Sequence, residues 1–432
     1  MKNSHLGRRQ FLQHSAAGVA GVAATGAAWG AESSAPPGNP AEASVDVSTT
    51  VDVLVVGGGT AGTIAAIQAA RAGATTLILE RNSQLGGTMT TGGVAFPGLF
   101  DAWGKQIIAG IGWELVRETV ELDGGSLPDF SQVPQRHWHN QVLINPFLYA
   151  LLAEEKCRKA GVRIAYYEFP DTLSPSGQGW QVDCVGFGTR RRVLCRQIID
   201  CTGGAEVVGK LNLPRFRDEE TQPGSILFQL GQPHDPGRGR GAPLQRRGQR
   251  HYVHGADSSN SRTVTAANLR GRQALLEIIR QENSRLMHLQ PEVSFRESYR
   301  IHGETVITVD DYTSGRVFDD AVCYAFYPID LHTRTGVRPE PLTTGTVATV
   351  PLSALIPKES RNLLVAGRCV SSDRLANSAL RVQAPCMAMG QAAGAAAALA
   401  AQAGTTPREV PFPSLVQLLE QHEAIVPGGE RS

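Results

Sequence analysis

The sequence predicts an α/β fold in which a largely parallel sheet is covered by helices. Residues 51–56 are apolar except for Asp52, as in a strand buried on both faces, and a glycine-rich turn joins them to a helical segment at 60–72. A second apolar strand at 75–80 completes a βαβ unit. Far along the chain, residues 362–370 repeat the buried-strand pattern and precede a long helix at 383–402. These features place a parallel sheet at the centre of the protein.

The chain begins with a predicted export signal at residues 1–31. Arg8 and Arg9 are followed by Phe11 and Leu12, then by a weakly apolar stretch and a small-residue cleavage site. The segment resembles a twin-arginine signal, whose pathway exports proteins already folded around a cofactor; a general secretory signal is the alternative. The apolar stretch is too short to span a bilayer. We therefore expect the twin-arginine machinery as a partner, a bacterial periplasmic or cell-envelope location, and no integral membrane span in the mature chain.

Composition argues against several classes of partner. The 41 Lys and Arg residues are balanced by 40 Asp and Glu, which argues against nucleic acid, and we expect the basic stretch at 238–250 to be a solvated loop. The seven cysteines include no CxxC pair, and their odd number argues against a disulfide framework. Five of them lie among apolar residues and are expected to be buried: Cys184, Cys195, Cys201, Cys369 and Cys386. His137 and His139 have no Cys or His partners at ligand spacing, so no metal site is expected.

The βαβ unit carries the spacing GxGxxG directly after its first strand. The first glycine makes a tight turn, the second lets backbone approach a pyrophosphate, and the third allows the helix to pack on the strand. The helix N-terminus then faces the phosphates, and the acidic residue that ends the second strand can accept hydrogen bonds from a ribose. The residues expected to make these contacts are Gly57, Gly59, Thr60, Ala61, Gly62 and Glu80.

A second glycine loop distinguishes between dinucleotides. Glu80 disfavours the additional phosphate of NADP. Gly86, Gly87 and Thr88 follow the second strand, where a nicotinamide dehydrogenase would usually continue into a helix. The loop suits a larger cofactor that passes close to backbone, so it favours a flavin over a nicotinamide.

Later segments supply further backbone for such a cofactor. Asn145-Pro146 begins a helix that ends at Gly161, and a hairpin then leads into a strand that ends at Thr202 and Gly203. The strand at 362–370 ends similarly, at Gly367 and Arg368. The helix after it is uncharged but rich in Ala and Gly, which predicts an interior helix rather than a membrane span. Its N-terminus can face a partial negative charge on the flavin.

Four blocks carry a resemblance to a known family. They are "VVGGGTAGTIAAIQAARAG", "LGGTMTTGG", "IIDCTGGAEVV" and "NLLVAGRCVSSDRLANSALRVQAPCMAMGQAAGAAAA". The sequence resembles FAD-dependent oxidoreductases that share their plan with fumarate reductase flavoproteins and glutathione reductase-like enzymes. The resemblance implies FAD bound by a Rossmann-like domain of the GR2 type, and it adds Arg81 and Asp373 to the expected cofactor contacts.

The resemblance also implies the domain organisation. After the signal and a flexible linker at 32–49, the FAD-binding domain is discontinuous, and a mixed α+β substrate domain is inserted into it. A short C-terminal extension ends the chain. The expected bounds are 50–210 plus 351–404 for the FAD-binding domain, 211–350 for the substrate domain and 405–432 for the extension.

Two positions depart from the family pattern, and one absence concerns the cofactor. Gly204 stands where relatives have Asp, and Tyr299 where they have Arg. The loop at 86–93 lacks the histidine through which some of these flavoproteins attach FAD, so we expect noncovalent FAD.

The candidate catalytic residues are Tyr327, His332, Arg381 and Arg300, with His302 weaker still. His332 could remove a hydroxyl proton while hydride leaves the carbon, and Arg381 could steady a reduced flavin or a substrate carboxylate. The sequence thus predicts an exported FAD-dependent oxidoreductase that acts on a small polar substrate, a hydroxylated compound or an organic acid. A flavin-binding protein without catalysis and a nicotinamide-dependent dehydrogenase are the alternatives, and the electron acceptor stays open.

Overall fold

The computed structural model describes residues 46–231, 247–337 and 339–428. The signal predicted at 1–31 therefore lies outside the described residues, as does most of the linker predicted at 32–49. The first strand begins at Val47, inside that predicted linker.

The strands form a central seven-stranded sheet, a three-stranded sheet and several two-stranded pairs. In chain order they are β1 Val47–Val56, β2 Thr76–Glu80, β3 Asp101–Ala102, β4 Lys105–Gln106, β5 Arg163–Tyr166, β6 Phe169–Ser176, β7 Gly179–Gly186, β8 Thr189–Asp200, β9 Arg215–Phe216, β10 Gly224–Gly231, β11 Arg247–Val253, β12 Arg285–Leu289, β13 Arg300–Ile301, β14 Ala321–Ala325, β15 His332–Thr333, β16 Gly336–Val337, β17 Ala348–Pro351 and β18 Leu363–Val365.

The helices lie between these strands and after the last one. In chain order they are α1 Thr60–Arg71, α2 Ile111–Leu122, α3 Pro146–Lys159, α4 Glu206–Lys210, α5 Ser261–Glu282, α6 Val309–Ser314, α7 Arg374–Leu380, α8 Gln383–Ala403 and α9 Phe412–Gln421.

The central sheet has seven strands and confirms the predicted α/β class. Its order is β5-β2-β1-β8-β7-β6, and β18 adds to the carboxyl end of β8. The pairs of β1 with β2 and β8, of β2 with β5 and of β18 with β8 are parallel, whereas β6 and β7 are antiparallel. Residues from the two ends of the described chain thus share one Rossmann-like sheet.

Small residues allow α8 to pack tightly against α1. A methyl group added at Gly390 would overlap the backbone of Ala61, and one added at Gly394 would overlap that of Ala65. Within the described ranges, α8 is the one helix with the length and apolar composition of a membrane span, and it is mostly buried inside the protein. It is the interior helix that its Ala-rich sequence predicts.

A second sheet forms between β8 and β18 along the chain. Strands β11, β10 and β12 are antiparallel and pack with α5 around Phe228, Leu275 and Val293. The expectation of a solvated loop at 238–250 was wrong for its last four residues. Residues 247–250 begin β11 and pair with residues 227–230 of β10, so their backbone forms a ladder with β10 and is not a loop. Residues 238–246 lie outside the described part.

Candidate active site

A cavity of about 420 Å³ lies at the carboxyl ends of β1, β2 and β8. It extends from residues around Glu80, through the glycine turns, to Tyr327 and His332. Ligands in open α/β sheets bind at this edge, because the helix N-termini and the loops after the strands converge there. The cavity thus joins the dinucleotide motif to the predicted catalytic residues.

The three motif glycines have three different surroundings. Gly57 has a φ of +99°, and a methyl group there would overlap the backbone of Cys201, so it makes the turn. A methyl group at Gly62 would overlap the carbonyl of Gly57, so this glycine lets α1 pack against the strand. A methyl group at Gly59 would meet no atom within 4 Å. Gly59 therefore faces open space on the cavity wall, where a pyrophosphate fits against backbone, with Thr60 and Ala61 beside it.

Glu80 lines the cavity and anchors the glycine turn. Its Oε2 accepts a hydrogen bond from Gly58 N at 2.7 Å, and its Oε1 accepts one from Asn82 N at 2.8 Å. Burial raises the pKa of this carboxyl, although the two N–H donors oppose the shift. Arg81 also lines the cavity and pairs with Glu206 and Glu292 at 3.5 and 3.4 Å.

The second glycine loop packs directly on the first. Gly86 N donates to Gly58 O at 2.8 Å, so Gly86 supports the motif turn without lining the cavity. Gly87 and Thr88 do line it. The loop predicted to favour a flavin is thus part of the same cradle.

Residues that follow two later strands, β8 and β18, also line the cavity. Thr202 and Gly203 line the cavity, and the hydroxyl of Thr202 donates to the buried Asp200 at 2.7 Å. Gly367 and Arg368 line it as well, and Arg368 Nε donates to Gly203 O at 2.9 Å. Asp373 lies outside the cavity lining, because its carboxylate caps α7 by accepting from Ala376 N at 2.8 Å.

The N-terminus of α8 completes the cradle. Gln383 lines the cavity, and its Nε2 donates to Val94 O at 2.8 Å. Its Oε1 is buried without a partner among the described residues, which leaves an acceptor for an N–H group of a ligand. The open face at Gly59, the helix N-termini and this free acceptor fit a dinucleotide whose ring carries N–H donors, as FAD does.

His332 lies at the far end of the cavity and pairs with a carboxylate. Its Nε2 is 3.1 Å from Asp330 Oδ2. Burial lowers the pKa of His332, although Asp330 opposes the shift. Burial alone would raise the pKa of Asp330, but the hydrogen bond with His332 and the charge of Arg381 lower it. The pair is therefore a neutral imidazole beside an ionised carboxylate at neutral pH.

Tyr327 and Arg381 lie beside this pair. The hydroxyl of Tyr327 accepts from Gln141 Nε2 at 2.9 Å, and burial raises its pKa to about 12. Arg381 Nη2 is 3.7 Å from Asp330 Oδ2 and donates to Asp330 O at 3.2 Å. Its Nε is buried without a partner in the described part of the chain. All three predicted residues therefore line the cavity together.

Four other residues singled out in the sequence lie away from this wall. Arg300 is buried, pairs with Asp218 at 2.7 Å and does not line the cavity. His302 is exposed and packs on Phe216. The two departures from the family pattern, Gly204 and Tyr299, are also outside the lining, and Tyr299 stacks under Arg215.

Sequence reasoning missed three polar residues at this end. Arg296 and Asp330 line the cavity, and Gln222 bonds to two residues that do. Asp330 had a visible signal, because it precedes His332 by two residues in the same apolar block. Arg296 and Gln222 are brought in by contacts distant in sequence, which no local pattern reports.

Cysteine and metal chemistry contribute little to this picture. The seven cysteines are free and buried, which confirms the burial predicted for five of them, and Cys201 and Cys386 reach the cavity wall. Burial raises the pKa of the Cys386 thiol to about 12 and that of Cys201 well above its ordinary value. Within the described residues, no group of three or more His, Cys, Asp or Glu side chains could hold a metal ion.

A comparison with solved structures finds matches at low identity. They include an anhydrotetracycline hydroxylase from Streptomyces rimosus (14% identity, TM-score 0.44, 87% of this chain and 67% of that chain). A geranylgeranyl bacteriochlorophyll reductase-like protein from Thermoplasma acidophilum has 13% identity and a TM-score of 0.37, over 87% of this chain and 83% of that one. A flavoprotein/dehydrogenase from Cytophaga hutchinsonii has 14% identity and a TM-score of 0.41, over 86% and 83%.

The sequence itself decides the family. No match was found among curated proteins. The model of the FAD dependent oxidoreductase family matches residues 52–262 and 242–419, which together include the glycine cradle and the His332 end of the cavity. The chain therefore belongs to the FAD dependent oxidoreductase family, and its cofactor is FAD.

Proposed function

We propose that this protein is an exported oxidoreductase that moves hydride between FAD and a small polar substrate, a hydroxylated compound or an organic acid. The observation that carries the proposal is the His332–Asp330 pair in the same cavity as the glycine cradle. A base beside the cofactor site is what removal of a hydroxyl proton requires. Bound FAD supplies the hydride acceptor at N5, or the donor in the reverse direction.

His332 acts as the base in the oxidative direction. Because its pKa is lowered, its imidazole is neutral at neutral pH and can accept the proton that leaves the substrate hydroxyl. Asp330 holds the ring by a hydrogen bond and stabilises the imidazolium that forms. The hydroxyl proton of the substrate passes to His332, and hydride leaves the carbon that bears that hydroxyl. Together these two losses convert an alcohol to a carbonyl.

Arg381 and Tyr327 orient the substrate. Arg381 keeps an N–H group without a partner among the described residues, and it can bind an oxygen of the substrate or of the reduced cofactor. The raised pKa of Tyr327 keeps its hydroxyl protonated, and its side chain lines the cavity beside Arg381 and His332.

Two further parts of the proposal rest on the sequence. The twin-arginine pattern at Arg8 and Arg9 supports export of the folded protein, and a cofactor that must be inserted before export explains why this pathway would be used. The loop at 86–93 has no histidine, which supports noncovalent FAD. We propose that a separate molecule reoxidises the reduced cofactor, and we assign no chemical identity to it.

The non-catalytic alternative receives no support from the cavity. Loss of catalysis is what departures from the family pattern at Gly204 and Tyr299 would favour, but neither residue lines the cavity wall. The nicotinamide alternative is set aside by the family, whose cofactor is FAD.

An anaerobic substrate screen tests the proposal. Purified protein is mixed with hydroxylated compounds and organic acids, and loss of the visible flavin absorbance is followed. At least one compound should bleach the wild type, and His332→Gln should slow bleaching by about 100-fold or more, with unchanged FAD content. His302→Gln, at an exposed position, is the matched control and should bleach as the wild type does. Equal rates for His332→Gln and wild type would overturn the role of His332.

A further inference from the structure

Arg296 is a second guanidinium at the His332 end of the cavity. Its Nη1 donates to Pro223 O at 2.6 Å and to Ser225 Oγ at 3.0 Å. Its Nε and Nη2 donate to no other described residue, and no carboxylate of the described chain lies within ion-pairing distance. One bond to a backbone carbonyl and one to a side-chain hydroxyl thus fix the side chain, whose guanidinium carbon lies 5.3 Å from the centre of the Tyr252 ring, and Nε and Nη2 are left for a ligand.

Arg381 has a similar excess of donors. Its Nη2 donates to Gln222 Oε1 and Asp330 O, both at 3.2 Å, while its buried Nε has no partner in the described ranges. Its nearest carboxylate is Asp330 at 3.7 Å, and Asp330 already bonds to His332. Among the described residues, Asp330 is thus the carboxylate within ion-pairing distance of Arg381, and Arg296 has none.

The charge of Arg381 also disfavours the charged form of Arg296. Burial and the charge of Arg381 lower the pKa of Arg296 to about 10. Burial likewise lowers the pKa of Arg381, although Asp330 opposes the shift. A buried cation without a full partner is costly, and a bound anion that accepts from both guanidinium groups would remove that cost.

We propose that Arg296 and Arg381 form an anion subsite that selects substrates carrying a carboxylate. The subsite lies beside His332, because Arg381 and His332 both contact Asp330. The carboxylate is therefore close to the carbon that is oxidised or reduced, which makes the substrate class a hydroxy acid or the corresponding oxo acid. This assignment of substrate class rests on the proposed function, whereas the anion subsite itself does not.

Binding of small dicarboxylates tests the subsite without requiring turnover. The FAD-loaded full-length protein is titrated calorimetrically with malonate, succinate and glutarate, and with their neutral diamides. At least one dicarboxylate should bind, and its diamide should bind at least about tenfold more weakly, the loss expected for one charge-assisted hydrogen bond. Absence of binding by all three acids, or equal binding of acid and diamide, would overturn the subsite.

Variants assign the effect to Arg296. Arg296→Gln should weaken dicarboxylate binding by about tenfold or more, and Arg296→Lys should recover part of it, because Lys keeps the charge but not the planar donor pair. Arg334→Gln, at a side chain that is 80% exposed, is the matched control and should bind as the wild type does. FAD content reports folding for each variant, and wild-type affinity in a folded Arg296→Gln would overturn the assignment.

The same reagents separate the two proposals. Dicarboxylate binding that depends on Arg296, with no flavin bleaching by any compound, would keep the anion subsite and overturn the proposed redox function. Bleaching by neutral alcohols as fast as by hydroxy acids would keep the redox function and overturn the substrate class.

Discussion

Gln222 Oε1 accepts a hydrogen bond from Arg381 Nη2 at 3.2 Å, and the same oxygen accepts one from the backbone N of His332 at 3.1 Å. The orientation of the Gln222 amide follows from Glu297, whose Oε2 accepts from Gln222 Nε2 at 2.9 Å. Arg374 in turn pairs with Glu297. One buried amide therefore holds both the proposed base and the proposed substrate-binding arginine in place.

Gln222→Leu should impair turnover while leaving FAD bound. Losing the shared acceptor frees Arg381 and the His332 backbone, so kcat should fall by about tenfold and KM for acidic substrates should rise. Glu297 would keep its ion pair with Arg374 but lose the buried amide donor of Gln222, which should lower the free energy of unfolding by about 1–3 kcal/mol. Steady-state kinetics and urea unfolding measure both, with the exposed Gln178→Leu as control. Lower stability with unchanged kcat and KM would make Gln222 only structural.

Substitution by alanine should weaken FAD binding at Gly59 and should lower the stability of the apoprotein at Gly62. Gly59→Ala puts a methyl group into open cavity space, so FAD affinity should fall by about tenfold or more while the apoprotein loses at most about 1 kcal/mol. Gly62→Ala overlaps the carbonyl of Gly57, so the apoprotein should lose about 1–3 kcal/mol of stability. FAD titration and urea unfolding of the apoproteins distinguish the two. The reverse pattern would contradict the placement of Gly59 against the cofactor.

The rate of substrate oxidation should stay constant as pH falls to about 6.5, the ordinary pKa of histidine. Burial lowers the pKa of His332, so the neutral base persists to lower pH and the acidic decline of kcat/KM begins below that value. Asp330 raises the pKa of His332, so Asp330→Asn should move the decline to still lower pH and reduce the maximal rate. A decline that moves to higher pH in this variant would contradict the pairing.

His422 should make folding stability pH-dependent. Ile111 N donates to Gln391 Oε1 at 3.0 Å, Gln391 Nε2 donates to Gln68 Oε1 at 3.1 Å, and Gln68 Nε2 therefore donates to His422 Nδ1 at 2.8 Å. The ring must be neutral to accept that bond, and burial lowers its pKa, with the charge of Arg71 adding to the shift.

Because the folded pKa is lowered, the unfolded chain binds a proton that the folded chain does not once pH drops below about 6.5. The free energy of unfolding should therefore fall on acidification from neutral pH, and less so in His422→Ala than in the wild type. Urea unfolding at several pH values measures the difference, with the exposed His302→Ala as control. An equal or larger fall in His422→Ala would contradict the neutral ring.

The sequence was most informative where the chemistry is local. The strand, glycines and helix at 51–80 form the turn that they predict, because backbone geometry and close packing leave few alternatives to glycine at positions 57 and 62. The interior position of α8 could also be predicted, because a helix rich in Ala gains little free energy on transfer into a bilayer.

The residues at the polar end of the cavity could be predicted from the sequence only in part. His332 and Arg381 could be proposed from residue type, but their shared partner Gln222 lies 110 and 159 residues away in sequence. The choice between Arg296 and Arg300 also required the structure. The two residues are four apart, and packing directs Arg300 to Asp218 while Arg296 faces the cavity.

We expect this chain to bind FAD noncovalently in the cavity described. An absorbance spectrum of the purified protein, recorded before and after acid precipitation, decides this. It should show the two visible bands of oxidised flavin, with the colour released into the supernatant on precipitation. A colourless protein that also fails to take up added FAD would contradict the cofactor site, and colour that stays in the pellet would contradict noncovalent attachment.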